Sequence, residues 1–356
     1  MTRPIRLSDV AKAAGVSHGT ASNAFNRPEI VRDEVRQRIM KVAKELGYAG
    51  PDPKGRLLRA GKFNAIGVVV FDALPYFFED PYARRFMAGI AAACDARGAG
   101  LSLVSATNDE SAAWTIQSAL VDGFILDCMM VGTRLIDLAK ARGIPFVALD
   151  IAPVEGVDTL NVDDREGARL AARHLVDLGH RRFGVLSLEF DLVGNLGPAD
   201  ASRLTASRFA PTRNRLRGYV ETIGGAPPLV YDTVNDEASA AAGVADILDA
   251  DPAVTAFLCM SDVVALAAIR ALAARGLRVP EDVSVVGFDD IPEAALSDPP
   301  LTTVAQPIAE KAAMAVDMLY NRPTEAGRSI LLPLSLAVRG STAAPPPAAQ
   351  RRLRKR

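Results

Sequence analysis

Few side chains in this sequence have the type and spacing to do chemistry, and they fall into two groups. The first lies near the N-terminus. Ser17, His18, Gly19, Thr20, Ser22, Asn23 and Asn26 bring small and polar groups into one short helical stretch. Side chains of this kind near a helix N-terminus are what the reading of base edges in a major groove requires. The second group is dispersed but recurs at one kind of place, the end of an apolar run. Asp150 follows 146–149, Ser261 and Asp262 follow 256–260, and Asp289 follows 283–288, while Arg215 opens the helical stretch 213–223. Carboxylates and an arginine converging on a cleft suit bidentate bonds to hydroxyls or ring nitrogens. Phe77, Phe78 and Asp80 follow the first apolar run, where aromatic faces could stack on a sugar or a base.

Catalysis is not indicated. There is no Gly-x-Ser-x-Gly elbow, no phosphate loop ending in Gly-Lys-Ser/Thr, and no His-Glu-x-x-His. His174 and His180 sit in a helix and a turn, where a structural role is expected. The pairs Asp163-Asp164 and Asp289-Asp290 suggest acid/base chemistry, but adjacent residues in a strand-end loop diverge. Asp262 either caps the next helix or touches a ligand. Cys94, Cys128 and Cys259 are widely spaced in apolar surroundings, which argues against a disulfide framework or a zinc site. No catalytic residue, metal or cofactor is expected. The single tryptophan, Trp114, is assigned to the core.

These groups need elements to hold them. Ser8 is a suitable N-cap for a helix over 9–14, Gly15 permits a sharp turn, and Ser17 caps a second helix reaching about residue 25. Val10, Ala11 and Ala14 are small enough to let two helices cross closely, with Val16 in the corner. Asn26-Arg27-Pro28 breaks the second helix. A third, over 33–46, places Val35, Ile39, Val42, Ala43 and Leu46 on one face, and Gly47 closes it. Such a unit is either a DNA-reading head or a helical hairpin with no partner.

A linker rich in proline, glycine and basic residues follows over 49–62. Beyond it, apolar runs at 66–71, 101–105, 123–126, 146–149, 183–188, 228–231, 256–260 and 283–288 predict strands. Amphipathic stretches at 83–97, 113–121, 134–141, 165–178, 213–223, 237–249, 263–275 and 308–320 predict intervening helices. Alternation of this kind implies parallel doubly wound sheets, and eight units are too many for one. Two Rossmann-like subdomains are therefore expected, with ligand at the strand C-terminal ends. Residues 329–338 read as a final strand, and the tail from 343 as disordered. The helix at 83–97, with Phe86, Ile90 and Ala93, faces either a second subunit or its own sheet.

Charge divides the chain in the same place. Residues 1–62 hold 13 Lys and Arg against 6 Asp and Glu, whereas 63–350 carry a balance of −13 and the last six residues one of +5. A basic head on an acidic body suits a head that meets phosphate while the body stays away from it. No run of 18 apolar residues is present, so no membrane partner is expected, and the first residues lack the apolar core of a signal peptide. A cytoplasmic, nucleoid-associated protein is expected.

Five segments together resemble the lac repressor and purine repressor family: 7–26, Glu45-Leu46-Gly47-Tyr48, Val285-Val286-Gly287-Phe288-Asp289-Asp290, Pro299-Pro300-Leu301-Thr302-Thr303-Val304 and Val338-Arg339-Gly340-Ser341. The resemblance implies an N-terminal all-α helix-turn-helix head plus an α/β periplasmic-binding-protein-like core of two Rossmann-like subdomains. It implies a homodimeric repressor that binds double-stranded operator DNA under the control of a small effector. It makes His18, Gly19 and Asn23 base-reading residues, and Ser17, Thr20, Ser22 and Asn26 phosphate contacts or caps. Asn23 departs from the family's usual arginine, and asparagine suits adenine where arginine suits guanine. In the linker the resemblance implies a short helix formed on DNA, with Leu58 wedged into a base step and Arg56 near phosphate. The linker is one residue longer than usual, and Gly55 stands where alanine is usual. An unstructured basic tether is the other reading. Asp150, Arg215, Ser261 and Asp289 match effector-binding positions, with Phe77, Phe78 and Asp80 further candidates. The implied domains are 1–50 (head), 51–63 (hinge), 64–342 (effector binding and dimerisation) and 343–356 (disordered basic tail). The core would divide into 64–162 with 291–325, and 163–290 with 326–342. A solute-binding protein of a transport system would share the core's fold, and a sugar- or nucleoside-processing enzyme is a third reading.

Overall fold

The computed structural model describes residues 5–50, 61–70, 73–106, 109–127, 134–190, 196–199, 203, 207–321 and 327–347. The chain forms two compact units, Met1–Phe63 and Asn64–Arg356.

The small unit contains α1 (Leu7–Ala13), α2 (His18–Asn26) and α3 (Asp33–Leu46), with a short 3-10 turn at Pro28–Ile30. Gly15 turns the chain between α1 and α2 at φ +66°, a left-handed conformation that costs glycine nothing. Ser8 does not cap α1. The helix begins one residue before it, and the Asp9 carboxylate accepts the Arg6 N–H at 2.8 Å instead. Ser17 does cap α2, accepting the Thr20 N–H at 3.0 Å. The core is minimal: Val10, Ala14, Ala24, Ile39 and Ala43, with Phe25 and Tyr48 edge to face over it at 5.7 Å. Val35 and Val42 pack against it, whereas Leu46, on the last turn of α3, is exposed.

The large unit has two lobes. The first sheet is built from β1 (Ala65–Val70), β2 (Gly100–Ser105), β3 (Gly123–Asp127), β4 (Phe146–Leu149), β5 (Thr159–Val162) and β12 (Ser329–Leu332), in the order β12-β5-β4-β3-β1-β2 and all parallel. The second contains β6 (Phe183–Ser187), β7 (Gly197–Pro198), β8 (Leu229–Asp232), β9 (Ala256–Cys259), β10 (Ser284–Asp289), β11 (Thr302–Ala305) and β13 (Ser335–Ala337), in the order β13-β11-β10-β9-β6-β8-β7. Its two outermost pairings, β11 with β13 and β7 with β8, are antiparallel. In each lobe the strand order reverses beside the first strand, between β1 and β3 and between β6 and β9. Open parallel sheets bind ligands at such reversals.

The chain passes between the lobes three times: at Asp163, at Gln306-Pro307 and at Pro333-Leu334. This differs from the division expected over 291–342. Thr302–Ala305 pairs in parallel register with Val286–Asp289 and so belongs to the second sheet. Residues 329–338 form two strands rather than one. Ser329–Leu332 joins β5 in the first sheet, and after Pro333 the strand β13 joins β11 in the second. A proline cannot donate to a strand ladder, and here it marks the transfer.

Helix α5 (Pro81–Asp95) packs on α13 (Ile308–Tyr320) so closely that a Cβ on Gly89 would lie 2.7 Å from that of Ala312. Phe86, Ile90 and Ala93 are buried in the first lobe's own core, so they are not a subunit-facing surface. Trp114 is not in the core either. On α6 (Asp109–Ser118), Ala112 and Ile116 point inward and Trp114, between them, is 72 % exposed. The C-terminal segment is ordered at its start. The Ala343 carbonyl accepts from His180 Nε2 at 2.8 Å and from the Ser284 hydroxyl at 3.1 Å. His180 is thus structural, its Nδ1 lying 2.9 Å from the Thr255 hydroxyl, and His174 Nε2 meets Thr342 at 2.9 Å. Cys94 and Cys259 are buried free thiols, and Cys128 lies outside the described residues. Among the described residues no helix is long and apolar enough to cross a membrane.

Candidate functional site

In the small unit, α2 exposes His18 and Gly19, with Ser22 and Asn23 half-buried on the same helix. Ser17 and Thr20 share a hydroxyl contact of 2.9 Å, and Asn26 donates to the Ser22 hydroxyl at 3.2 Å. Ala21 and Ala24, buried between these polar residues, seat the helix on α1 and α3. The result is a helix whose apolar side is held by a small core and whose first turn is free to enter a groove. Arg56 and Leu58 lie outside the described residues.

In the large unit, a cleft of about 740 Å³, part of it open to solvent, lies where both sheets present their strand C-terminal ends. Six of the seven predicted residues line it: Phe77, Asp80, Asp150, Arg215, Ser261 and Asp289. Phe78 does not. On the single-turn helix α4 (Tyr76–Glu79) it points out and is 65 % exposed, while its neighbour Phe77 points in.

Each polar group is held in place by a local device. Asp150, at φ +55°, directly follows β4, and its two oxygens take the Lys311 ammonium at 2.6 and 2.8 Å. Asp80 caps α5 with one oxygen and accepts from the Asn235 amide with the other, both at 2.8 Å. Ser261 caps α11 (Asp262–Ala274) through the Val264 N–H, and its hydroxyl donates to the Asn235 side-chain amide oxygen at 2.6 Å. Asp80, Asn235 and Ser261 thus bridge the two lobes. Arg215, on α9 (Ala210–Ile223), donates to Asp164 at 2.7 Å and to the Met260 carbonyl, and its guanidinium lies 3.7 Å over the Phe288 ring. Asp289 lies 4.0 Å from Arg215 and accepts the Gln306 amide at 2.7 Å.

Asp262 is not a ligand group. It is buried, and accepts from the Ile291 N–H and the Thr303 hydroxyl, which ties α11 to the ends of β10 and β11. Each suspected acidic pair diverges. Asp163 caps α8 (Asp164–Asp177) while Asp164 turns to Arg215, and Asp290 pairs with Arg339 while Asp289 faces the cleft.

Burial and charge set the protonation of the cleft. Burial works against the charges on Arg215 and Lys311. The carboxylates of Asp164 and Asp289, and of Asp150, outweigh it and raise both pKa values, so both stay cationic. Burial pushes Asp289 well above the usual carboxylate range, and Asp80 upward as well. Lys311, Asn235, Gln306, Tyr76, Tyr82 and Asp127 line the cleft without having been expected there. Lys311 did leave a signal in the sequence. It lies three residues after Ile308 and four before Ala315, on the buried face of α13, where a lysine is out of pattern.

Comparison with known proteins agrees with this geometry. Residues 6–50 match the model of bacterial regulatory proteins of the lacI family, and residues 172–342 match that of the periplasmic binding protein-like domain. The chain is 38 % identical over 357 residues to the HTH-type transcriptional regulator Rv3575c of Mycobacterium tuberculosis, covering 97 % of this chain and 98 % of that one. Its structure is similar to the lac repressor dimer bound to operator and the anti-inducer ONPF, with a TM-score of 0.76, 26 % identity, and coverage of 96 % of this chain and 100 % of that one. It is also similar to a CelR–cellobiose complex, with a TM-score of 0.67, 29 % identity, and coverage of 95 % and 100 %. The chain belongs to the LacI family of DNA-binding transcriptional regulators. That family consists of regulators rather than enzymes, and its DNA-binding head sets aside a solute-binding protein of a transport system.

Proposed function

We propose that α2 reads an operator half-site through His18, Gly19 and Asn23, with Ser17, Thr20, Ser22 and Asn26 at flanking phosphates or holding the helix, and that a small hydroxyl-bearing metabolite in the cleft sets the affinity. Two heads of a homodimer would meet successive turns of a near-palindromic duplex. Arg56 and Leu58 are assigned to a hinge at the adjacent minor groove by resemblance alone. The protein would work in the cytoplasm, on the nucleoid.

One observation carries the effector reading. Asp80, Asp150 and Lys311 from one lobe face Asn235, Ser261, Arg215 and Asp289 from the other across a single cleft. A molecule bonded to both sets changes how the lobes close, and a ligand shifts an equilibrium only by such differential contact. Coupling of about 1–3 kcal/mol, a 5- to 150-fold change in operator affinity, is the usual scale. The test is fluorescence anisotropy with a labelled operator duplex, titrated with each compound that raises the melting temperature. A change of 5-fold or more supports the reading. Compounds that bind tightly yet leave operator affinity untouched contradict it.

A further inference from the structure

Residues at the start of α5 reach away from the first lobe, and two of them do so outside the cleft. Asp80 meets Asn235, and the Tyr82 hydroxyl lies 3.5 Å from the Gln306 side chain, where the chain crosses between the lobes. Arg84 and Arg85 reach further, and neither they nor their partners line the cleft. Arg84 Nη2 lies 3.3 Å from the carboxylate of Glu293, on α12 (Pro292–Leu296), and Arg85 Nη1 donates to the Asp290 carbonyl at 2.8 Å.

What Arg85 grips is the strained end of β10. Asp289 has φ +122° and Asp290 φ +57°, two consecutive non-glycine residues on the side of backbone space that L side chains rarely occupy. Asp290 lies in the left-handed region that aspartate tolerates, whereas Asp289 lies beyond it. Such a conformation persists only where its surroundings over-determine it. Gln306 donates to Asp289 twice, from its N–H to the carbonyl at 3.3 Å and from its side-chain amide to the carboxylate at 2.7 Å. Arg339 holds the Asp290 carboxylate at 2.7 Å, and the Ile291 N–H donates to Asp262 at 2.9 Å. These holds come from the second lobe and from the crossing. That of Arg85 comes from the first lobe, and it bears on the residue next to a side chain that faces the cleft.

We propose that Arg85 is a positioning residue that acts across the lobes: its bond to the Asp290 carbonyl keeps the strained end of β10, and with it the Asp289 carboxylate, in the cleft-facing conformation. Arg84 and Glu293 are both about half exposed, so their ion pair orients the facing surfaces and adds little strength. When the lobes part, Arg85 withdraws and the strand end relaxes. Closure itself, with no ligand bound, thus sets the geometry of Asp289. The inference rests on the effector reading only in taking Asp289 as a ligand group.

The test is hydrogen–deuterium exchange of the full-length, ligand-free protein at neutral pH, read by mass spectrometry in peptides carrying the Ile291 and Gln306 amides. Neither amide touches Arg85, so a purely local role in α5 would not move them. Arg85→Ala should speed their exchange about tenfold, the lower end for loss of a hydrogen bond from a charged donor. Arg85→Lys, which keeps a charged donor, should recover most of that protection, and Arg84→Ala should change it less than about twofold. Ala88→Ser, at an exposed position one turn further along the same helix, should leave it at the parent value. Unchanged exchange at both amides in Arg85→Ala overturns the proposal. So does acceleration spread evenly through 86–94 and both sheets, which would mean that the substitution only loosens α5. Because no ligand is used, this result can fail while a metabolite still shifts operator affinity, and the two readings are judged separately.

Discussion

Replacing Arg215 by methionine removes one cation from the interior of the second lobe and keeps most of the volume. Arg215 is 6 % exposed, and its partners Asp164 and Asp289 are 5 % and 7 % exposed. The substitution leaves Asp164 and the Met260 carbonyl without their shared donor, and Asp289 without the positive charge 4.0 Å away. Breaking one side of a buried pair costs about 3–5 kcal/mol, because the remaining charge is stranded. Loss of the guanidinium over Phe288 adds about 1 kcal/mol, part of which the methionine thioether regains against the ring. For a domain of this size each kcal/mol lowers the melting temperature by about 2–4 °C, so the transition of the large unit should fall by roughly 6–20 °C. Asp164→Asn added to Arg215→Met removes one stranded charge and should recover a substantial part of the loss, a clear departure from additivity. Differential scanning calorimetry at neutral pH reads this directly. A variant within about 2 °C of the parent, or a double variant no better than the sum of the singles, would refute the placement of Arg215 as the buried counter-charge of the cleft.

Asn23→Arg should move base preference at one position of each half-site from adenine toward guanine, by about 1–3 kcal/mol per good bidentate pair. Site selection from random duplexes checks it, and an unchanged consensus argues against Asn23 as a base reader. Ser17→Ala should cost the small unit about 1 kcal/mol by removing the cap on α2, seen as a lower urea midpoint of the head. An unaltered midpoint means the cap contributes nothing. Asp262 has its pKa pushed to about 7 by burial, so its contribution to stability is full below about pH 4 and is lost as pH rises through 7. Asp262→Asn should flatten the fall in urea midpoint between pH 4 and 7, by on the order of 1 kcal/mol per pH unit. Identical pH profiles for the two proteins contradict that sign.

What could be read from the sequence divides along physical lines. Apolar runs of four to six residues identified most strands of both sheets, and Asp150, Ser261 and Asp289 followed from their ends. Thr159–Val162 escaped because it is four residues long with a polar Thr159 and Asn161 alternating with its apolar pair. Thr302–Ala305 escaped because two threonines dilute its apolar signal. Phe86, Ile90 and Ala93 gave a helix face but not its partner, since α5 meets α13 from more than 200 residues away. Asn235 and Gln306 sit in connections, where no periodicity speaks, and only the folded chain brings them to Asp80 and Asp289. Phe77 and Phe78 are adjacent and chemically alike, so only the helical turn through Tyr76–Glu79 could tell which one faces the cleft.

The account turns on whether α2 enters a groove of duplex DNA. Binding of the purified protein to fragments of its own genome, followed across salt concentration, tests this most directly. The expected result is a preferred near-palindromic site, with log affinity falling linearly in log salt, and loss of that preference in His18→Ala with Asn23→Ala while weak non-specific binding persists. A protein that favours no duplex over random DNA at any salt, or keeps its preference without those two side chains, contradicts the assignment.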